Sequence, residues 1–149
     1  MRPIFALVLL LVFSSSCKKN GFSDKPQLKI KSVSSNEITG DETLEFIITI
    51  TDKQGDFTSY FGIEANTPNC PASDFADSTL FQIPFDFISS KATEGDIVLD
   101  LSKTLRHSNL CPGPGGTSLT DTTVYSFWTK DKAGNVSDTV HSSPIIIHP

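Results

Sequence analysis

The chain has 149 residues, with 12 Lys and Arg against 17 Asp and Glu and a formal net charge of −5 at pH 7. That length suits one domain able to bury a core of its own. The acidic balance argues against nucleic acid, which requires clustered Lys and Arg, and against binding an anionic bilayer through a basic patch.

The chain opens with Arg2, then an unbroken apolar run at 4–13 (IFALVLLLVF), then Ser14, Ser15, Ser16 and Cys17. Positive charge, short apolar run and small residues, in that order, predict a secretory signal at 1–16. The run is too short to span a bilayer, which takes about 20 residues. The residues before Cys17 resemble a lipobox, where a dedicated peptidase cuts ahead of a cysteine that is then acylated. Ser14 stands where that motif has Leu, and an ordinary signal peptidase could also cut after Ser16. The resemblance implies acyl chains, palmitate among them, on Cys17. It places the chain in the cell envelope, anchored at the outer membrane on its periplasmic or surface face. Two or more acyl chains anchor stably. Residues 17–27 then read as the lipidated cysteine and a flexible polar tether, with Gly21 and Pro26.

From residue 28 onward the hydrophobic period is two. Leu44, Phe46, Ile48 and Ile50 alternate with Glu45, Ile47, Thr49 and Thr51, and Ile97, Leu99 and Leu101 alternate with Asp96, Val98, Asp100 and Ser102. Such alternation predicts half-buried strands. Seven are expected, roughly at 28–34, 43–51, 58–65, 79–85, 96–102, 122–130 and 138–147. No segment carries a helical stripe. Seven short strands predict an all-β domain at 28–149, a sandwich of two sheets.

Two stretches carry a family resemblance. The run 125–137 (YSFWTKDKAGNVS) looks like the last hairpin of bacterial immunoglobulin-like and fibronectin-III-like domains, and 50–57 (ITDKQGDF) resembles a D-x-x-G-D turn. Behind a signal ending in Ser-Cys-Lys-Lys, they resemble small lipoproteins of Bacteroidota. The resemblance implies an immunoglobulin-like, Greek-key β-sandwich and an envelope location, and it implies no activity.

Greek-key order sorts the loops to two ends. Loops 52–57, 86–95 and 131–137 share the end where the chain enters, and loops 66–78 and 103–121 share the far end. With Cys17 set aside for lipid, Cys70 and Cys111 remain, one in each far-end loop. An even pair in an exported protein favours a disulfide. It would close a ring of about 40 residues, worth up to ~4 kcal/mol in the chain-entropy account. Neither cysteine has a Cys-x-x-Cys partner or an adjacent His. The entry end gathers Asp52, Asp56, Asp131 and Asn135, oxygen ligands of the kind Ca²⁺ takes. The spacing is not that of an EF-hand, and ordinary turn chemistry explains the same residues, because Asp and Asn bond their own backbone and tolerate positive φ.

Other candidates are thinner. His107, His141 and His148 lack ligand spacing. There is no Gly-x-Ser-x-Gly, and the glycine-rich 113–118 lacks the Lys of a phosphate loop. Phe75, in a polar loop, is either a plug over the sandwich end or a stacking surface for a sugar or partner. Ser78, Thr122 and Thr139 stand in Asp-Ser/Thr-x triplets resembling the O-glycosylation motif of exported Bacteroidota proteins. The expected function is non-enzymatic: an envelope lipoprotein presenting a binding module to a protein partner or glycan through the far-end loops. The alternative is an accessory subunit that stabilises an envelope complex without a ligand of its own.

Overall fold

A computed structural model describes residues 24–39, 42–68, 70, 75–77, 93–102 and 111–149, with the backbone alone for 59, 75–77, 111–112 and 116. The signal, Cys17, Ser78 and the strand expected at 79–85 fall outside the described residues. The rest is all-β: β1 (Gln27–Val33), β2 (Glu37–Thr39), β3 (Leu44–Thr51), β4 (Phe57–Asn66), β5 (Phe75–Asp77), β6 (Glu94–Leu101), β7 (Cys111–Pro112), β8 (Ser118–Leu119), β9 (Asp121–Asp131), β10 (Val140–His141) and β11 (Ile145–His148). No helix among these residues is long and apolar enough to cross a membrane.

Two sheets form a sandwich. One has the order β1-β3-β6, all antiparallel; the other runs β2-β11-β9-β4-β5, with β10 also on β9. Among the described strands only β2 and β11 pair in parallel. The β7–β8 hairpin turns through a short 3-10 segment, Pro114–Gly116.

Period-two patterning builds the core. In β3, Leu44, Phe46, Ile48 and Ile50 are all fully buried, while Glu45 points to water. Ile97, Leu99 and Leu101 of β6 continue that inner face. Phe61, Ile63, Tyr125, Phe127 and Ile145 line the facing sheet. The layers meet where the Phe46 ring lies edge-on to Phe127 at 5.0 Å and to Tyr125 at 5.5 Å. Burying each such side chain contributes about 1.5–3 kcal/mol. A bulge between Ile30 and Ser32 shifts β1's register, so that Leu28, Ile30 and Val33 all pack against the core.

The strand count exceeds the seven expected. The stretch expected as one strand at 138–147 is broken into β10 and β11. Ser142 still keeps β10's register, its N–H donating to Tyr125 O at 2.8 Å, but its hydroxyl rather than its carbonyl accepts the Tyr125 N–H at 3.0 Å, and Pro144 has no N–H to give a ladder. β2 is a three-residue strand whose partner comes from the far end of the sequence. The segments 66–78 and 103–121, expected as loops, contain β5, β7 and β8. Phe75 itself lies in β5, paired with Ala65. The ten-residue β4 offers an edge along which a polar segment can pair.

Candidate cation site and aromatic face

β3 and β9 each end on a buried aspartate. Asp52 follows β3 and is 1% exposed; Asp131 closes β9 and is 2% exposed. Each organises the turn after it. Asp52 Oδ1 accepts from the N–H groups of Gln54 at 2.7 Å and Gly55 at 2.8 Å. Gly55 has φ 62°, a left-handed conformation that glycine adopts without strain. Asp131 Oδ1 accepts from the Asn135 N–H at 2.7 Å, its backbone pairs with Asn135 and Gly134, and Gly134 has φ 92°. The ordinary turn role of these residues is therefore present.

The turns also meet. The Lys132 N–H donates to Asp56 O at 3.0 Å, and the Asp52 N–H donates to Thr93 O at 2.9 Å. Carboxylate oxygens of Asp52, Asp56 and Asp131 come within 4.8 Å of one another. Asn135 stands behind them: its Nδ2 donates to Asp131 Oδ2 at 2.7 Å and to Asp24 O at 3.3 Å. It braces a carboxylate and does not stand in the three-carboxylate group. Asp24, three residues before β1, also meets Lys53 Nζ at 3.2 Å.

The electrostatics at this end are unfavourable. Asp52 Oδ2 and Asp56 Oδ1 are buried without hydrogen-bond partners. An unmatched buried oxygen costs about 1–3 kcal/mol, more when charged. Burial pushes the Asp56 carboxyl above the usual carboxylate range, and the charges of Asp52 and Asp131 and a side-chain contact with Asp52 add to the rise. All donors here are oxygens, the ligand type of hard cations. Sequence reasoning brought out these residues but not the burial of Asp52 and Asp131.

A second feature was not legible beforehand. On the outward face of β4 and β9, Gly62 pairs with Trp128 across the strands. The indole lies over the glycine, so a Cβ on Gly62 would sit 2.0 Å from Trp128 Cε2. Beside it, Tyr60 is 58% and Val136 50% exposed. Together with Lys130 and Thr129 they line a cleft of about 370 Å³. The outward face of the other sheet is mixed: Val98, 56% exposed, pairs with half-buried Ile47, while Lys31 Nζ meets Asp96 at 2.5 Å and the Thr49 hydroxyl donates to Asp96 at 2.7 Å. Chiefly through the Lys31 ammonium, this holds the exposed Asp96 carboxyl below its ordinary range.

The remaining expected residues are dispersed. Cys70 is buried, and its N–H donates to Thr67 O at 2.8 Å. Cys111 opens β7, and its side chain lies outside the described residues. Thr122 is half-buried on β9, and Thr139 is exposed before β10. His141 meets Ser126 at 2.9 Å and His148 meets Glu37 at 2.6 Å, on separate strands.

No family model and no curated protein matches the chain. Solved structures resemble it at low identity. The sporulation control protein Spo0M from Bacillus subtilis is 7% identical with a TM-score of 0.45, the match covering 84% of this chain and 50% of that one. A β-glucosidase from Listeria innocua in complex with glucose is 14% identical with a TM-score of 0.42, over 87% of this chain and 17% of the enzyme. The CARDB domain of a Pyrococcus furiosus protein, in complex with di-metal ions, is 7% identical with a TM-score of 0.34, over 87% of this chain and all of that domain. The chain thus spans half or less of the first two.

Proposed function

We propose that this chain is a non-enzymatic envelope lipoprotein, held by acyl chains on Cys17, whose immunoglobulin-like domain binds a glycan or protein partner. The observation that carries the binding role is the exposed face of Tyr60, Trp128 and Val136. Of the other outward positions on these strands, Glu64, Ser126 and Lys130 are polar and Val124 is a half-buried apolar residue. A cleft of about 370 Å³ with an aromatic wall and a nearby ammonium fits one sugar ring or one inserted side chain. This puts the contact surface on the sheet face rather than on the far-end loops. The anchoring rests on the sequence of 1–17. The immunoglobulin-like reading is supported by strand order: β1 pairs with β3 in one sheet, while β2 runs parallel to β11 in the other.

A Cys70–Cys111 disulfide belongs to the same reading. Asn66, at the end of β4, pairs with Val124 near the start of β9. Cys70 follows the one, and the β7–β8 hairpin precedes the other, so both cysteines come to the same end of the sheet.

Two measurements test the proposal. Labelled palmitate fed to cells is expected to enter the wild-type protein and not Cys17→Ser; equal labelling would refute the anchor. Glycan arrays and crosslinking with the full lipoprotein in detergent are expected to give a ligand that Tyr60→Ala weakens at least tenfold. A ligand bound equally by Tyr60→Ala would move the contact surface elsewhere.

A further inference from the structure

A second property belongs to the entry end and stands apart from the aromatic face. Asp52 is 1% exposed, and its Oδ1 is taken by two backbone N–H groups. Its Oδ2 has no donor, and neither has Asp56 Oδ1. Among the described residues no Lys, Arg or His forms an ion pair with Asp52, Asp56 or Asp131; the ion pairs lie at Asp138, Asp96, Asp24 and Glu37. One proton shared between Asp52 and Asp56 would match one pair of oxygens and leave two negative charges uncompensated. A divalent cation would match all three carboxylates.

From this arrangement we infer that Asp52, Asp56 and Asp131 bind one Ca²⁺ ion at the end of the sandwich where the tether enters. The oxygens lie within 4.8 Å of one another. Ca²⁺–oxygen distances of about 2.4 Å allow that span across a single ion. The donors are oxygens alone, where protein Zn²⁺ sites are built chiefly on Cys sulfur and His nitrogen. Mg²⁺ demands near-ideal octahedral geometry and keeps its waters, whereas Ca²⁺ accepts carboxylates from two independent turns with water completing the shell. Bound there, the ion ties the 52–56 turn to the 131–135 turn. Asn135, which braces Asp131, also holds the backbone of Asp24. The ion would thereby fix where the tether meets the domain.

The test is thermal unfolding of the full lipoprotein in detergent, in EDTA, in Mg²⁺ and in Ca²⁺, with calorimetric Ca²⁺ titration. At a Ca²⁺ concentration about 100 times Kd, the midpoint is expected to rise by roughly 10 °C over EDTA. Mg²⁺ should give a smaller rise. Asp56→Asn should lose the Ca²⁺ shift and the calorimetric signal, while its midpoint in EDTA equals or exceeds that of wild type, because it removes a repelled charge. That last result separates loss of a ligand from failure to fold; should Asp56→Asn not fold, Asp131→Asn serves through loss of the Ca²⁺ shift and of the calorimetric signal alone, because it also gives up the bond from Asn135 Nδ2. An unchanged wild-type midpoint with no calorimetric heat would overturn the site. So would a full Ca²⁺ shift persisting in Asp56→Asn, which would put the ion elsewhere.

Discussion

Gly62→Ala probes the outward face most sharply, because its effect should change sign with its neighbour. The new Cβ would lie 2.0, 2.4 and 2.5 Å from Cε2, Nε1 and Cζ2 of Trp128. Carbon atoms rest at about 3.5–4.0 Å, so the indole must move by more than 1 Å. Three ring atoms are struck together, and a rigid indole can respond only by rotating off the sheet. Overpacking of this kind costs typically about 1–3 kcal/mol. Against it stands the backbone gain of replacing glycine, about 0.4–1 kcal/mol where φ is ordinary. Gly62 is not among the glycines with positive φ, which are Gly55, Gly115 and Gly134, so the gain applies. The net expectation is a loss of about 1–2 kcal/mol, a urea midpoint lower by roughly 0.5–1 M with an unchanged slope. In a Trp128→Ala background the clash is gone, and Gly62→Ala should stabilise by up to about 1 kcal/mol. Circular dichroism reads both backgrounds without the indole. A Gly62→Ala variant equally destabilised with and without Trp128 would refute the steric reasoning.

Other expectations follow from packing and charge. Phe46→Ala removes the ring that meets Tyr125 and Phe127 at the centre of the sandwich and should cost about 3–5 kcal/mol by chemical denaturation; a loss below 1 kcal/mol would mean the sheets do not meet there. Asp96, whose folded-state carboxyl is held below its ordinary range by Lys31 and then Thr49, adds stability above the unfolded-state value. That contribution disappears as pH falls through the lowered one. NMR titration of Lys31→Met should show the Asp96 midpoint moving upward, and no movement would discount the pair. Cys70→Ser should abolish the faster gel migration expected of the non-reduced protein; identical mobility with and without reductant, together with two titratable thiols, would sink the disulfide. Of the triplet hydroxyls, Thr139 is exposed while Thr122 is half-buried in a paired strand. Intact mass should therefore fall by one glycan in Thr139→Ala, and a wild-type mass equal to that of the unglycosylated protein would dismiss the modification.

How much of this was legible depends on what each residue's environment needs. β3 and β9 could be read because one face of each is buried, and burial on one face imposes period two over eight residues or more. β2 could not: Glu37-Ile38-Thr39 holds one apolar residue, and it is a strand only because β11 lies alongside it. β5 is likewise made by its neighbour, as Phe75 pairs with Ala65 on a strand long enough to extend an edge. The aspartates of the two turns were visible through their spacing with glycine. Their convergence within 4.8 Å, and the two oxygens left without donors, arise only when β3 and β9, in different sheets, end at the same end of the sandwich. The Trp128–Gly62 pair depends on cross-strand register, which alternation alone does not set.

The place of β11 has a consequence for the timing of synthesis. Ile145–His148 is an interior strand, flanked by β2 on one side and β9 on the other. Ile38, 4% exposed, pairs with Ile147, so a residue made early waits for one made more than a hundred positions later. Until residue 148 has been added, the larger sheet stops at β9 and β2 has no neighbour. A nascent chain of this topology stays incompletely folded through nearly all of its elongation, and such long-range pairing closes slowly once complete. An export channel that accepts only unfolded polypeptide would find this chain in the form it can carry.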